Sequence, residues 1–503
     1  MHGFSIFWSS CLVVTFVLRA AWADIPDDYE LPPAPGPHVS PESTADGFSR
    51  RQPIVMTSYF YWYDAETKAH IVNPDGSDAL TNHPPTLDGL SYRNPAWHRQ
   101  QLDDMARAGI DVVLPVYWGT PGARRSWSNV GLPPLVAARE RLLSNGRDAP
   151  KIGMFYDTST LRHNPRDYHV DLRTAAGRRW FHGTIRDFFS LVPPRHRACI
   201  EGRPIVLLYA SAFAAGVDED LFPRVREMFR SDFGTDLYLV KMQGWPGEAD
   251  SVYMWGGALK PRYLDVAAIG PGYDHSAVPG RDPLVREREN GLFYMKAWER
   301  LLAEPPATRP WMVHVETWNE WHEGTDVCES REYGRKYIEL TRKYADLFHA
   351  RRQVDPEHVP PAPKQVKGSP GHERGIQISP HPEGDGPVAE RKVAGRNAWS
   401  TLPNDHSPSH RYLYFDVDDR FLGLGDKSVK VTICYLDSGP GHFTFQRFRR
   451  STRIRRVTTF PRTTSNRSGT AEHGRKSLLS CPTRCSPDAP TAMISGWLVP
   501  TRS

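Results

Sequence analysis

The sequence predicts an α/β fold, a (β/α)8 TIM-type barrel followed by a linker and a small β-sandwich-like module. Three observations support the barrel. Eight short apolar runs recur between Pro53 and Ala350, amphipathic segments separate most of them, and aromatic or polar residues stand where the runs end. Parallel strands need long crossover connections, and closing the sheet into a barrel removes its exposed edges.

The eight runs have the length and apolar character of strands that are buried on both faces. Strands are predicted at 54–61, 111–117, 151–156, 204–209, 236–241, 252–254, 266–269 and 311–318. The run at 252–254 is the shortest and the weakest of the eight. Helices are predicted at 97–108, 172–189, 292–302 and 331–350.

The first 23 residues have the features of a secretory signal peptide. An apolar stretch at 4–18 precedes Ala21-Trp22-Ala23, a small-x-small cleavage pattern. We therefore expect a secreted or periplasmic protein. No Lys or Arg precedes the apolar stretch, so an uncleaved N-terminal anchor is the alternative.

Composition divides the rest of the chain into five segments. Residues 24–52 are rich in Pro, Asp and Ser and predict an extended lead-in, and 53–350 hold the barrel. Residues 351–397, dense in Pro, Gly, His and charge, predict a linker. Period-2 alternation returns in 398–446, where we expect a β-sandwich-like module that stops short of a full set of strands, and 447–503 predict a basic, disordered tail.

The charge distribution disfavours nucleic acid as a partner. Residues 447–503 hold twelve Lys or Arg against two acidic residues, whereas the net charge of the whole chain is +5, so the remainder is mildly acidic. Nucleic-acid binders usually carry a basic face on the folded domain. Beyond the N-terminal stretch, no apolar run is long enough to span a membrane.

The most distinctive segment follows the last predicted barrel strand and reads Trp-Asn-Glu-Trp-His-Glu-Gly-Thr at 318–325. Glu320 and Glu323 lie three positions apart, and glycoside hydrolysis commonly uses one protonated and one ionised carboxyl group. Burial among aromatic side chains raises the pKa of a carboxyl group. Trp318 and Trp321 offer faces on which sugar C–H groups stack. The segment predicts a carbohydrate site, with a pair of surface carboxylates on a turn as the plainer alternative.

Other chemistries find less support. His322-Glu323 begins a His-Glu-x-x-His zinc pattern, but Asp326 stands where the second His is needed. The chain has no Gly-x-Ser-x-Gly elbow after a strand and no Gly-x-Gly-x-x-Gly fingerprint. We therefore expect no metal and no cofactor.

The ends of other predicted strands also carry aromatic and polar residues. Tyr61 ends the first strand, Trp118 follows the second, and Tyr273-Asp274 follows the seventh. Active sites of (β/α)8 barrels lie at the C-terminal ends of the strands. Each residue alone fits ordinary rim packing, but the set predicts a ligand cleft. The candidate substrate contacts are Tyr61, Trp118, Tyr273, Asp274, Asn319, Trp321 and His322.

The 318–325 segment resembles the signature of glycoside hydrolase family 99, the endo-α-mannosidases, and of their bacterial family 99-like relatives. Further similarity lies in 59–63, in 108–119 and in Gly270-Pro271-Gly272-Tyr273-Asp274, and the resemblance spans about 53–350. It implies a retaining endo-glycosidase on a (β/α)8 barrel. Glu320 is then the base that acts on the sugar 2-hydroxyl to give a 1,2-anhydro intermediate, and Glu323 is the acid that protonates the leaving oxygen.

Two loops depart from the family pattern. The chain continues after Tyr273-Asp274 with a different sequence, and the His-rich loop after the first strand is reduced to Asn82-His83-Pro84. The sequence therefore leaves the sugar and the linkage open. A secreted glycoside hydrolase that cleaves an internal bond of a polysaccharide or glycan is the leading hypothesis, with a non-catalytic carbohydrate-binding protein and a surface-polysaccharide assembly protein as alternatives.

Overall fold

A computed structural model of the chain describes residues 23–41 and 47–360, shorter segments between 363 and 421, and the backbone of five strands from residue 430 onwards. The predicted signal peptide lies outside the described residues except for Ala23. Within the described part of the chain, no helix combines the length and the apolar character that a membrane crossing requires.

Eight parallel strands form a nearly closed barrel. They are β1 (Ile54–Tyr59), β2 (Val112–Tyr117), β3 (Met154–Tyr156), β4 (Arg203–Leu208), β5 (Tyr238–Met242), β6 (Ser251–Tyr253), β7 (Val266–Ile269) and β8 (Met312–Val315). The hydrogen-bonded order is β6-β5-β4-β3-β2-β1-β8-β7. All six residues of β1 and of β2 are buried, as expected for strands covered on both faces. The predicted barrel is confirmed at the level of an α/β TIM-type fold.

Six helices surround this sheet. They are α1 (Pro95–Arg107), α2 (Trp127–Ser144), α3 (Ala175–Leu191), α4 (Leu221–Phe233), α5 (Leu292–Ala303) and α6 (Lys336–His349). The side chains of Asn94, Ser126 and Thr174 accept hydrogen bonds from the first turns of α1, α2 and α3. Gly234, at φ 70°, ends α4 in the left-handed conformation that glycine adopts at low cost.

Among residues 47–360, no α-helix lies between β5 and β6 or between β6 and β7. No backbone ladder joins β6 to β7 there either, and one side chain bridges the gap: the Val252 amide donates to Asp265 at 2.9 Å. The weak apolar run at 252–254 thus corresponds to a short strand beside the opening of the barrel.

The described parts of the lead-in, residues 24–41 and 47–52, pack along α3 and the edge of the barrel. The amides of Gly36 and His38 donate to the hydroxyl and carbonyl of Ser190 at 3.0 and 3.1 Å, and Phe48 donates to Cys199 at 2.7 Å. These bonds attach an otherwise irregular segment to the outer layer.

The C-terminal β-sandwich is not confirmed. Strands Gln365–Ser369, Ile376–Ile378, Val388–Val393 and Arg396–Thr401 fall in or across the range that the sequence predicts as a linker. In Gln365–Ser369 burial alternates along the strand, and a small cluster forms from Val366, Ile376 and Phe421. Short hairpins need few apolar residues, so the Pro- and charge-rich composition conceals them. Three further strands, Val457–Pro461, Gly474–Leu479 and Thr491–Ser495, lie in the range predicted as a tail.

Candidate active site

The segment after β8 folds into a closed loop at the C-terminal end of the barrel. The Thr317 amide donates to the Thr325 carbonyl at 2.9 Å, and the Val327 amide returns to the Thr317 carbonyl at 3.1 Å. Gly324 turns the loop at φ 55°. The closure places Glu320, His322 and Glu323 on one short loop.

Glu320 is almost fully buried, with 3% of its surface exposed. Its Oε1 accepts hydrogen bonds from the amide and the ring Nδ1 of His322 at 3.1 and 2.6 Å. Its Oε2 has no hydrogen-bond partner among the described residues. Burial raises the pKa of Glu320, against the opposing charge of His322. The carboxyl group is therefore a stronger base than an exposed glutamate and has one oxygen free to accept a proton.

His322 connects this carboxylate to the loop that follows β1. Its Nε2 faces the backbone carbonyl of His70 at 2.9 Å, and its Nδ1 lies 3.4 Å from the Tyr63 hydroxyl. The His322 ring also packs against Trp62, with ring centroids 5.5 Å apart. Trp62, at the end of the first predicted strand, and His70, which the sequence patterns did not single out, thus pack against the His322 ring that bonds Glu320.

Glu323 is more open, with 24% of its side chain exposed. Its Oε1 accepts a hydrogen bond from the Arg281 guanidinium at 2.9 Å. Burial and the charge of Glu323 raise the pKa of the neighbouring Tyr273 hydroxyl. The charge of Glu323 also raises the pKa of Glu320, so the two carboxyl groups share one electrostatic site.

Trp118, Tyr273 and Asp274 lie at the accessible rim. Trp118 is 38% exposed and donates its indole N–H to Ser159 at 2.8 Å. Tyr273 and Asp274 are half-buried, and Asp274 accepts hydrogen bonds from Ser276 within its own turn. Of the predicted substrate contacts, these three and His322 have exposed surface.

The other predicted contacts are packed inside. Tyr61 is fully buried and its hydroxyl donates to the Ser128 carbonyl at 2.7 Å. Asn319 is fully buried. Its side-chain amide accepts from the N–H of Phe60 and donates to the carbonyl of Phe60, each at 2.8 Å. Trp321 is 1% exposed and packs against the Tyr63 ring at an angle of 50°, and Trp318 is fully buried. These positions support the loop, and the expectation that Trp318 and Trp321 present faces to a sugar is wrong for this structure.

Two further strand ends add polar groups near Glu323. Asp157, after β3, caps Ser159, and burial raises the pKa of its carboxyl group. Burial and the charges of Asp157 and Glu323 raise the pKa of Tyr209, after β4, to about 12. Asp157 directly follows the predicted strand at 151–156, and Tyr209 ends the one at 204–209, so both belong to the pattern of aromatic and polar residues at strand ends.

A buried polar chain lies beneath the loop. The Ser58 hydroxyl contacts His314 Nε2 at 2.7 Å, and His314 Nδ1 lies 3.6 Å from Glu316 Oε1. Glu316 Oε2 accepts the amides of Gly256 and Gly257 at 2.8 and 2.7 Å. The order resembles a serine-hydrolase triad, but all three side chains are buried, so Ser58 is out of reach of a substrate. These contacts link β1, β8 and the segment after β6 to one another.

The reduced loop at Asn82-His83-Pro84 is held in place from two sides. His83 contacts Asp78 at 2.9 Å and Glu332 at 2.8 Å through its two ring nitrogens. The side-chain amide of Asn82 donates to the buried Asp326 carboxylate, which also accepts a hydrogen bond from Arg288. The loop thus covers the segment after β8. The hydrogen bonds of His83 to Asp78 and Glu332 hold the two segments together, and we call this arrangement the His83 clamp.

One cluster has a composition suited to a metal. Potential ligand atoms of Glu299, Glu357 and His358 lie within 4.8 Å of one another. The Glu299 carboxylate already accepts hydrogen bonds from His358 Nδ1 at 2.7 Å and from Tyr344 at 3.0 Å. The Glu299 carboxylate is therefore hydrogen-bonded without an ion. Its bonds to His358 attach the segment after α6 to α5.

Comparison with known families and curated proteins gives two kinds of match. A family model described as "Domain of unknown function (DUF5010)" matches residues 39–359. The Mus musculus glycoprotein endo-alpha-1,2-mannosidase-like protein is 34% identical over 98 residues, 16% of this chain and 21% of that protein. The Mus musculus glycoprotein endo-alpha-1,2-mannosidase is 31% identical over 110 residues, 19% of this chain and 23% of that protein. The chain thus matches between a fifth and a quarter of the length of these relatives, and its resemblance to endo-α-mannosidases is confirmed.

Solved structures give weaker likenesses. The GH99 endo-alpha-mannosidase of Bacteroides thetaiotaomicron, in complex with bis-tris-propane, has a TM-score of 0.46 and 16% identity, covering 60% of this chain and 98% of that one. A structure described as a glycoside hydrolase-like protein has a TM-score of 0.43 and 17% identity, covering 58% of this chain and 94% of that one.

Proposed function

The chain belongs to the family of the domain of unknown function DUF5010, and on that premise we propose that it is a glycoside hydrolase that cleaves an internal bond of a polysaccharide or glycan with retention. One observation carries the proposal: Glu320 and Glu323 share a closed loop at the barrel mouth, one buried and one accessible. Paired carboxyl groups in unlike surroundings are the usual equipment for glycosidic cleavage.

Glu320 is assigned as the base. Burial raises its pKa, and a higher pKa makes a carboxylate a better proton acceptor. Its Oε1 is held by two N–H groups of His322, which leaves Oε2 to receive the proton of a sugar hydroxyl. The resemblance to family 99 identifies that hydroxyl as the one at carbon 2.

Glu323 is assigned as the acid. It is accessible to a leaving oxygen, and the Tyr273 hydroxyl lies beside it. Arg281 stabilises the carboxylate that remains once the proton has been delivered. Trp118 offers the one large exposed ring among the predicted contacts, so we assign it to sugar stacking. Export as a secreted or periplasmic protein is proposed from the pattern of residues 1–23.

A panel of α-mannans and bacterial polysaccharides, with new reducing ends detected by mass spectrometry, tests the activity. We expect Glu320→Gln and Glu323→Gln each to lower the cleavage rate by roughly 10² to 10⁴, with little change in melting temperature. Glu339→Gln, an exposed position on α6, is the matched control and should cleave normally. Full activity in both active-site variants would refute the assignment.

A carbohydrate-binding protein without turnover is the second candidate. The observation that favours it is the Arg281 guanidinium, which lies 2.9 Å from Glu323 Oε1 and already occupies one oxygen of the proposed acid. Calorimetric binding of a glycan that yields no new reducing ends would select this candidate.

A further inference from the structure

The ring of His322 has an acceptor on each side. Nδ1 lies 2.6 Å from Glu320 Oε1, and Nε2 lies 2.9 Å from the His70 carbonyl oxygen. A carbonyl oxygen can only accept, so Nε2 must carry a hydrogen. Either neutral form of the ring would leave one lone pair facing an oxygen when Glu320 is ionised. When Glu320 is ionised, only the doubly protonated imidazolium of His322 can donate a hydrogen to both Glu320 and the His70 carbonyl.

The carbonyl that imposes this arrangement belongs to a residue in an unusual conformation. His70 has φ 58°, in the left-handed region that residues other than glycine seldom adopt. Its ring stacks on Trp62 with centroids 4.5 Å apart and planes 4° apart. Burial lowers the pKa of His70 to about 4, so this ring is neutral and acts by packing. The stacked ring and the backbone conformation together aim the His70 carbonyl at His322.

We propose that His322 is a positioning residue that keeps the buried Glu320 ionised, and that the left-handed backbone of His70 enforces this by holding His322 as a donor on both nitrogens. This inference deepens the proposed function, since it concerns the base of the same site. The Oε1 of Glu320 already accepts the His322 amide, which also favours the carboxylate form.

The surroundings of His322 agree with a charged ring. The titratable groups that face it are Glu320 and Glu323 from its own loop, and Tyr63 and His70 from the segment after β1. Burial alone would lower the pKa of His322, but the charge and hydrogen bond of Glu320 and the bond to His70 outweigh it and raise the pKa. The imidazolium therefore persists to higher pH than in an exposed histidine.

A pair of substitutions at His70 separates the backbone from the ring. Both His70→Asn and His70→Val remove the stacked imidazole. Asparagine tolerates the left-handed conformation, whereas β-branched valine does not, so only valine turns the carbonyl away. The ring ¹⁵N shifts of His322, followed by NMR in the full chain and assigned with His322→Asn, report the protonation of each nitrogen directly.

We expect His322 to stay doubly protonated above pH 6.5 in the wild type and in His70→Asn, and to lose its proton at lower pH in His70→Val. Equal titration in the two variants would overturn the role of the His70 backbone. A neutral His322 ring at pH 6 in the wild type would overturn the whole inference.

Kinetics add a second readout. We expect His322→Asn and His70→Val to lower kcat about 10- to 100-fold with KM nearly unchanged, because in this proposal both residues act through Glu320 and not on the substrate. A raised KM with unchanged kcat would instead make His322 a substrate contact and contradict the proposal. His372→Asn, at an exposed position outside the barrel, is the control and should keep both kcat and KM. If the wild type cleaves no glycan, the proposed function fails, while the NMR titration still decides the inference.

Discussion

The segments after β8 and after β2 both carry tryptophans at strand ends, yet they are built in opposite ways. Trp321, in the segment after β8, is 1% exposed and packs against Tyr63 with ring centroids 4.7 Å apart. Trp118, after β2, is 38% exposed, and its ring is held by a hydrogen bond from the indole N–H to Ser159. The first packs inside the loop, and the second faces solvent at the rim.

The difference shows that the most distinctive sequence need not be the surface that meets the substrate. Three side chains of the segment after β8 face the interior. Trp318 donates to the Gln101 side chain, Asn319 bonds the backbone of Phe60, and Trp321 packs against Tyr63. Glu320, His322 and Glu323 are the side chains of this segment that the proposed function uses. It assigns sugar stacking to Trp118, a less distinctive position where packing imposes fewer demands.

Replacing Trp321 tests the buried side of the comparison and should have the largest effect. Trp321→Ala leaves a cavity beside Tyr63, and we expect the free energy of unfolding to fall by about 3–5 kcal/mol, the usual cost of removing a buried large aromatic. Denaturant titration followed by fluorescence measures it. A loss below about 1 kcal/mol would mean that the loop does not depend on this ring.

His83 tests how the covering loop is fastened, with an intermediate effect. Burial alone would lower the pKa of His83, but hydrogen bonds and charges of Asp78 and Glu332 raise it above the ordinary value. A raised pKa in the folded state stabilises the protein fully below about pH 6.5, the unfolded value, and this stability is lost as the pH rises through the folded value. We expect a loss of less than about 1 kcal/mol, since the partners are partly exposed.

Melting temperatures measured between pH 5.5 and 8.5 reveal this loss of stability with rising pH. His83→Asn should abolish that part of the pH dependence, whereas His372→Asn, at an exposed position, should leave it unchanged. An identical pH profile in wild type and His83→Asn would show that the clamp contributes nothing.

Trp118 tests the open side and should have the smallest effect on stability. Trp118→Ala removes an exposed ring, so the free energy of unfolding should change by no more than about 0.5 kcal/mol. Glycan affinity should nevertheless fall roughly tenfold, which corresponds to about 1.4 kcal/mol of lost stacking. Calorimetry with a bound glycan checks this, and unchanged affinity would remove Trp118 from the proposed cleft.

The sequence predicted the barrel well because its strands follow a local pattern, whereas the catalytic roles of Glu320 and Glu323 stay predictions. Apolar runs buried on both faces located strands such as β1 and β8 to within a few residues, and the spacing of Glu320 and Glu323 indicated paired carboxyl groups. Burial of Asn319 and Trp321 escaped prediction because no period tells which way an irregular loop faces. His70 escaped it because nothing in its residue type signals a positive φ or a distant partner such as His322.

The pairing of β1 with β8 also bears on when the site forms during folding. Thr57 and Val315 are bonded across 258 positions of sequence, and the Trp318 amide and the Asn319 side chain attach to Ser58 and Phe60 along the same junction. Contacts between distant parts of a chain carry a large loop-closure cost and tend to slow folding. We therefore expect the loop that carries Glu320 and Glu323 to take shape only when the two ends of the barrel meet, so a chain that has folded part of its strands lacks the assembled candidate site.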